Sequence, residues 1–203
     1  MKLKTILATA AGLLATSSLF GLSSFSDDFE GDLSAWTGKS GGAHSGVIVA
    51  DPLDGSNHVL AFSNSVGGGD IFTIDAVSTV GSYLLSFDYM AGAQSNGSGF
   101  LGLSLGLPGT HTWLAGTSYG GLTFNLIEDG TWHHYEAIIA NPWPGQPVHL
   151  MLEDFRTPAE NAYFDNLVLR DSSLAVPDSS TTSALLGLGL LGLVAIRRRV
   201  SRS

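Results

Sequence analysis

Short runs of alternating apolar and polar side chains, cut by glycine and small polar residues, dominate the middle of this 203-residue chain. In 83–90, Tyr83, Leu85, Phe87 and Tyr89 fall on one side, with Ser86 and Asp88 on the other. In 100–107, Leu101, Leu103, Leu105 and Leu107 alternate with Gly102, Ser104 and Gly106, and Leu122, Phe124 and Leu126 repeat the pattern. Successive side chains of an extended strand point to opposite faces, so a period of two marks a half-buried strand. Further short runs lie at 47–50, 58–63, 70–74, 132–140, 148–153 and 163–169. Nothing between them is long and periodic enough to be a crossover helix, which argues against parallel βαβ units. The pattern predicts an all-β fold, an antiparallel β-sandwich of nine or ten short strands.

The two ends read differently. Lys2 and Lys4 precede an apolar stretch from Ile6 to Leu22, the layout of a secretory signal peptide. Residues 1–24 are therefore expected to form a signal helix, cleaved between Ser18 and Ser26. At the other end, Ala184 to Ile196 is apolar and is followed by the basic stop Arg197, Arg198 and Arg199. A helix of those 13 residues spans only ~20 Å, short of a hydrocarbon core ~30 Å thick. Gly187, Gly189 and Gly192 weaken it further. The arginines stay on the cytoplasmic side, so this short hydrophobic helix (about 183–196) predicts a transient inner-membrane stage and not a durable anchor. Between the ends lies one domain, 25–173, joined by a small polar linker to a C-terminal signal within 174–203.

Val176, Pro177, Asp178 and Ser179, then the Leu/Gly-rich segment, then the Arg triplet, resemble the PEP-CTERM sorting signals, in the variant whose motif reads Val-Pro-Asp-Ser-Gly. The chain departs from that variant at Ser180. The resemblance implies an exported protein of a Gram-negative bacterium, handled by an exosortase-type sorting enzyme and delivered to the cell surface or extracellular matrix.

Composition narrows the cargo. The chain has no cysteine, so the domain depends on its core and not on disulfides. From Phe25 to Ala175 there are three cationic residues, Lys39, Arg156 and Arg170, against 17 Asp and Glu, a formal charge of −14. Such a surface repels nucleic acid and anionic lipid and is compatible with neutral polysaccharide and divalent cations. Asp28-Phe29-Glu30-Gly31 with Trp36, the Gly130–Tyr135 segment, and the closing Tyr163–Leu169 segment together resemble jelly-roll domains of the galactose-binding and carbohydrate-binding-module type. The resemblance implies a jelly roll whose opening and closing strands lie side by side. It also implies one structural calcium ion at that seam, with Glu30 and Asp165 at the matching positions and Asp28 beside them. Calcium takes oxygen ligands from carboxylates and carbonyls.

Sugar rings pack their C–H faces on flat aromatic rings while nearby polar groups fix their hydroxyls. Trp36 and Trp132, each near a strand start, are expected in the core. Trp113, Tyr119 and Trp143, near Pro-containing turns or loops, are the expected platforms. His133 and His134 are neighbours on one strand and face opposite ways, so they cannot chelate one ion together. No Gly-x-Ser-x-Gly elbow appears, and no catalytic residue is assigned. The expected function is a non-enzymatic structural or adhesive surface protein. The alternatives are a polysaccharide-binding module and, third, a glycan-active hydrolase or lyase on the same scaffold.

Overall fold

The computed structural model describes residues 22–64, 69–92, 99–117, 122–155 and 162–173. These residues form two sheets. In the first, the order is β11 (His133–Ala140), β7 (Ser82–Ala91), β13 (Ala162–Asp171), β4 (His58–Phe62) and β3 (Gly46–Ala50). β1 (Ser24–Asp27) pairs with the second half of β13, on the edge whose first half meets β4. In the second, the order is β10 (Phe124–Asn125), β9 (His111–Gly116), β8 (Gly99–Ser104), β12 (Pro147–Asp154), β5 (Ile71–Thr73) and β2 (Trp36–Thr37), with β6 (Val77–Ser78) also on β12. The ladders are antiparallel apart from the two-residue β9–β10 pairing. The architecture is the β-sandwich that the alternation predicts. The described residues contain no helix long and apolar enough to cross a membrane. The predicted signal helix, the linker and the sorting tail fall outside them, apart from the last residues of the predicted leader, Leu22 to Ser24.

The inward faces follow the pattern of two. Tyr83, Leu85, Phe87 and Tyr89 of β7 are fully buried, as are Leu101 and Leu103 of β8. Phe87 stacks on Tyr135 at 5.3 Å and meets Phe124 edge-on at 5.4 Å, while Phe164 packs beside Tyr89 at 5.2 Å. Offset and edge contacts of this kind add to the area they bury.

Two bulges interrupt the alternation, and both decide which way side chains point. On β13 the register shifts between Asp165 and Val168, with Asn166 in the left-handed region (φ 49°). The inward set changes from Ala162 and Phe164 to Leu167 and Leu169. The extra residue turns every later side chain to the other face. On β9, Ala115 lies opposite Leu101 but Trp113 lies opposite Gly102. Leu114 and Ala115 are both buried against the core, and Trp113 is thereby turned to the outer face.

The opening and closing strands do lie side by side, Phe25 opposite Leu169 and Asp27 opposite Leu167. The chain then folds back over the end of the sandwich. Phe29, fully buried at φ 54°, stacks on Trp36 at 5.9 Å, and Phe25 meets Trp36 edge-on at 5.3 Å. A bulky residue in the left-handed region costs about 1–3 kcal/mol. Asp27 holds the turn, accepting from Phe29 N–H at 2.8 Å and Trp36 Nε1–H at 2.6 Å. Trp36 is a core residue, as its position predicts. The described fold includes Leu22, whose N–H donates to the Ala76 carbonyl at 3.1 Å.

Candidate functional site: an aromatic strip on the outer face of the second sheet

On the outer face of the second sheet, β9 offers His111 and Trp113, β8 offers Phe100, Gly102 and Ser104, and β12 offers His149, Met151 and Glu153. Phe155 follows directly on β12. Trp113 meets Phe100 at 5.4 Å and His111 at 5.7 Å, and Phe100 meets Phe155 at 6.1 Å. The result is one line of rings across three strands. Phe100 is buried in its middle, Trp113 is half-buried, and Phe155 is 54 % exposed.

Glycines lay this surface flat. A Cβ on Gly102 would lie 2.9 Å from the Trp113 ring and 2.6 Å from the Thr112 carbonyl oxygen, and one on Gly116 would lie 2.6 Å from the Phe100 ring. Toward β5 the backbone at Gly69 (φ 98°) crosses over Met151 and Phe72, leaving both buried. Its N–H donates to the Glu153 carboxylate, and Asp154 N–H donates to Asp70 Oδ2 at 2.7 Å.

The other predicted platforms lie elsewhere. Trp143 is on the β11–β12 loop as predicted, but its ring packs against the main core, and its backbone N–H donates to Asn141 Oδ1 at 2.9 Å. None of its described contacts joins it to Trp113. Tyr119 lies outside the described residues. Sequence reasoning missed Phe100 and Phe155. The signal for Phe100 was available, since it opens the second face of the run in which Leu101 and Leu103 define the first.

Trp132 corrects an expectation. It is not part of the core cluster. It shares the outer side of the first sheet with His134 and donates Nε1–H to both Asp51 carboxylate oxygens, at 3.1 and 3.0 Å. Burial pushes the Asp51 carboxyl up, but the donors from Leu53, Trp132 and Asn57 outweigh it and hold it below the usual range. Asn57 Nδ2 bridges Asp51 Oδ2 and Asp165 Oδ2, at 3.4 and 3.0 Å. Asp165 moves the other way: burial pushes its carboxyl up, helped by the Asp88 and Glu30 charges and opposed by the Asn57 and Asn166 donors.

The three carboxylates expected at a calcium ion do not form a ligand set. Glu30 accepts from His58 N–H at 2.9 Å and faces His58 Nδ1 at 3.0 Å. Asp165 accepts from Asn57 Nδ2 and, at 2.7 Å, from Asn166 N–H. Asp28 accepts from Glu30 N–H at 3.3 Å. These oxygens serve N–H donors, and among the described residues no three His, Asp or Glu side chains converge as ligands of a metal ion.

His133 and His134 do point to opposite faces. His133 Nε2 lies 2.9 Å from Asp129, while His134 Nδ1 lies 2.7 Å from Asp88 and its Nε2 lies 3.4 Å from Ser86 Oγ. Ser86, His134 and Asp88 thus stand in the order nucleophile, base, orienting acid. Acyl transfer also needs backbone donors aimed at a developing oxyanion. β7 is paired on both edges, by β11 and β13, so its own N–H groups are committed to ladders. The arrangement acts as a cross-strand tie.

Comparison with known proteins follows the same division between tail and domain. Residues 175–200 match the VPDSG-CTERM motif. No curated protein matches the chain. Among solved structures, the domain is similar to a xylan-binding domain of carbohydrate-binding module family 22, with 14% identity, a TM-score of 0.51, and coverage of 75% of this chain and 96% of that one. It is similar to the C-terminal family 22 module of Clostridium thermocellum Xyn10B, also at 14% identity and TM-score 0.51, covering 75% and 94%. A structure holding the N-terminal family 22 module of that xylanase gives 13% identity and a TM-score of 0.50 over 73% of this chain and 28% of that one. At such identities the likeness is one of fold. The domain is a β-sandwich similar in fold to these modules, and residues 175–200 carry the VPDSG-CTERM motif.

Proposed function

We propose that this is an exported, non-catalytic polysaccharide-binding protein, carried to the cell surface or extracellular matrix of a Gram-negative bacterium by an exosortase-type enzyme acting on its tail. The observation that carries the binding reading is the line Trp113–Phe100–Phe155 on an outer sheet face. Phe155 is a large ring left 54 % exposed, and Trp113 is held flat by a glycine. Trp113 and Phe155, the accessible rings at either side of the buried Phe100, offer stacking surface to sugars of one chain, and the glycines keep the backbone low between them. The formal charge of −14 over Phe25 to Ala175 favours a neutral glycan over a polyanion. The xylan-binding domain of like fold supports a plant-type or related neutral β-glycan as the first probe.

The test is retention of the protein on insoluble neutral polysaccharides, xylan among them, with Trp113→Ala and Phe155→Ala made singly and together. The double variant is expected to lose at least tenfold in affinity, about 1.4 kcal/mol, with an unchanged melting temperature for Phe155→Ala. Undiminished retention of the double variant would remove the strip from the function and leave the structural or adhesive reading.

A further inference from the structure

Beside the aromatic line, the outer face of the second sheet carries two histidines in one row. His111 on β9 and His149 on β12 both lie opposite Ser104 of β8, one on each side of it. Val148 and Leu150 fill the core, so His149 between them faces out with Met151 and Glu153. His111 is exposed and its ring meets Trp113 at 5.7 Å, while His149 is half-buried.

Both rings are held by the same nitrogen. His149 Nδ1 lies 2.7 Å from the Thr73 carbonyl oxygen, and His111 Nδ1 lies 3.2 Å from the Gly109 carbonyl oxygen. A carbonyl oxygen only accepts, so each Nδ1 carries the proton. In the neutral ring, Nε2 is then left with its lone pair as an acceptor. Neither Nε2 has a hydrogen-bond partner among the described residues, and neither is sealed from solvent. Ser104 between them is spent. It is fully buried, its hydroxyl donates to the Gly106 carbonyl at 2.8 Å, and it accepts from Gly109 N–H at 3.2 Å. The row therefore presents two fixed acceptors and no donor.

That arrangement selects its partner. Neighbouring strands lie about 4.8 Å apart, so about 10 Å of sheet separates β9 from β12, and the Thr73 tie draws His149 toward β5. No third His, Asp or Glu converges with the two rings among the described residues, so they do not make a metal site. Two separated acceptors call for hydroxyl donors on different sugars of one chain. We infer that His111 and His149 read free hydroxyls of a glycan lying along the aromatic line, so that the site takes the unsubstituted polymer in preference to its O-acetylated form. Ester oxygens accept but do not donate, and an acceptor set against one loses the water it had and gains no bond. The inference rests on the polysaccharide-binding reading and narrows its substrate class.

The test has two arms, both on the full-length protein in mild detergent. In the first, long-range proton–nitrogen correlation spectra of the isotopically labelled protein read the histidine tautomers. The proton is expected on Nδ1 of His111 and His149, and a proton on Nε2 of His149 would overturn the inference. In the second, affinity electrophoresis compares soluble xylan with the same xylan O-acetylated. Wild type should prefer the free polymer at least about fivefold, the effect of one or two hydrogen bonds. His111→Phe is expected to melt with wild type and to lose part of that preference. His149→Phe also strips the Thr73 carbonyl of its donor and should melt lower. The double variant should bring the ratio close to one without weakening retention on the acetylated form. A preference that survives in the double variant would belong to the rings and overturn the inference. Equal retention of both polymers by wild type would overturn it and leave the polysaccharide-binding reading intact, whereas no retention of either would remove both.

Discussion

Gly102→Ala is a single methyl group aimed at the seat of Trp113. The added Cβ would stand 2.6 Å from the Thr112 carbonyl oxygen, 2.9 Å from Trp113 Cε3 and 3.1 Å from Met151 Cε. Ordinary contact begins near 3.4 Å, so the shortest of these is deficient by roughly 0.8 Å. The methionine end can swing away, but the Thr112 carbonyl belongs to the paired strand opposite, and relief requires β8 and β9 to separate or Trp113 to lift. Overpacking of this kind costs about 1–3 kcal/mol. The loss of glycine's freedom in the unfolded chain returns about 0.4–1 kcal/mol. The net, about 0–2.6 kcal/mol, should lower the melting temperature by up to roughly 10 °C for a domain of this size. Gly31→Ala is the control: nothing lies within 4 Å of its Cβ and its φ is not positive, so the same change there should be neutral or slightly stabilising. Scanning calorimetry reads the first effect. The second is a shift of the Trp113 fluorescence, taken as the difference from Trp113→Phe, together with weaker polysaccharide retention. A Gly102→Ala protein that melts with wild type and retains polymer equally well would refute the claim that this glycine seats the platform.

Trp132→Phe should destabilise the fold by about 1–3 kcal/mol, because it strips the indole N–H from both oxygens of the buried Asp51 carboxylate; a melt within 1 °C of wild type would show that the indole only covers the sheet. Asp165→Asn should change the pH profile of stability. The folded-state pKa of Asp165 is raised, so the native protein bears the cost of ionising it above that pKa and sheds the cost as pH falls through it. The variant's stability relative to wild type should therefore be greater at pH 8 than at pH 4 in thermal melts, and a difference that stays constant across the range would contradict the raised pKa.

The inner faces were legible because burial on one side of a strand is written as alternation. Tyr83, Leu85, Phe87 and Tyr89 are the core of β7 as the sequence predicts, and the adjacency of β1 and β13 follows the resemblance of the closing motif. The outer faces were less legible, for two physical reasons. A bulge shifts parity by one residue, so the orientation of Trp113 depends on Leu114 being the extra residue, which no local pattern announces. Contacts on an outer face also join residues far apart in sequence, as Phe100 with Phe155 and Asp51 with Trp132. Trp132 is the instructive error. Its strand puts Tyr135, Ala137 and Ile139 against the core, and even-numbered Trp132 must then face away with His134. The alternation along β11 carries that information, against the general tendency of tryptophan to be buried.

The two outer faces differ in how far their polar groups satisfy one another. On the first sheet, Asp88 is tied to His134 and Asn166, Asp165 to Asn57, and Asp51 to Trp132. A surface whose carboxylates and donors already satisfy one another gains little by exchanging them for sugar hydroxyls, since each new hydrogen bond replaces an existing one. The second sheet differs: Trp113 is partly and Phe155 largely exposed, and Gly102 and Gly116 leave the room that the Trp113 and Phe100 rings occupy. Binding there would cover apolar ring surface that water now touches, above all on Phe155. On the proposed reading, this difference between the faces, and not the sandwich itself, is the reason for placing a glycan on the second sheet.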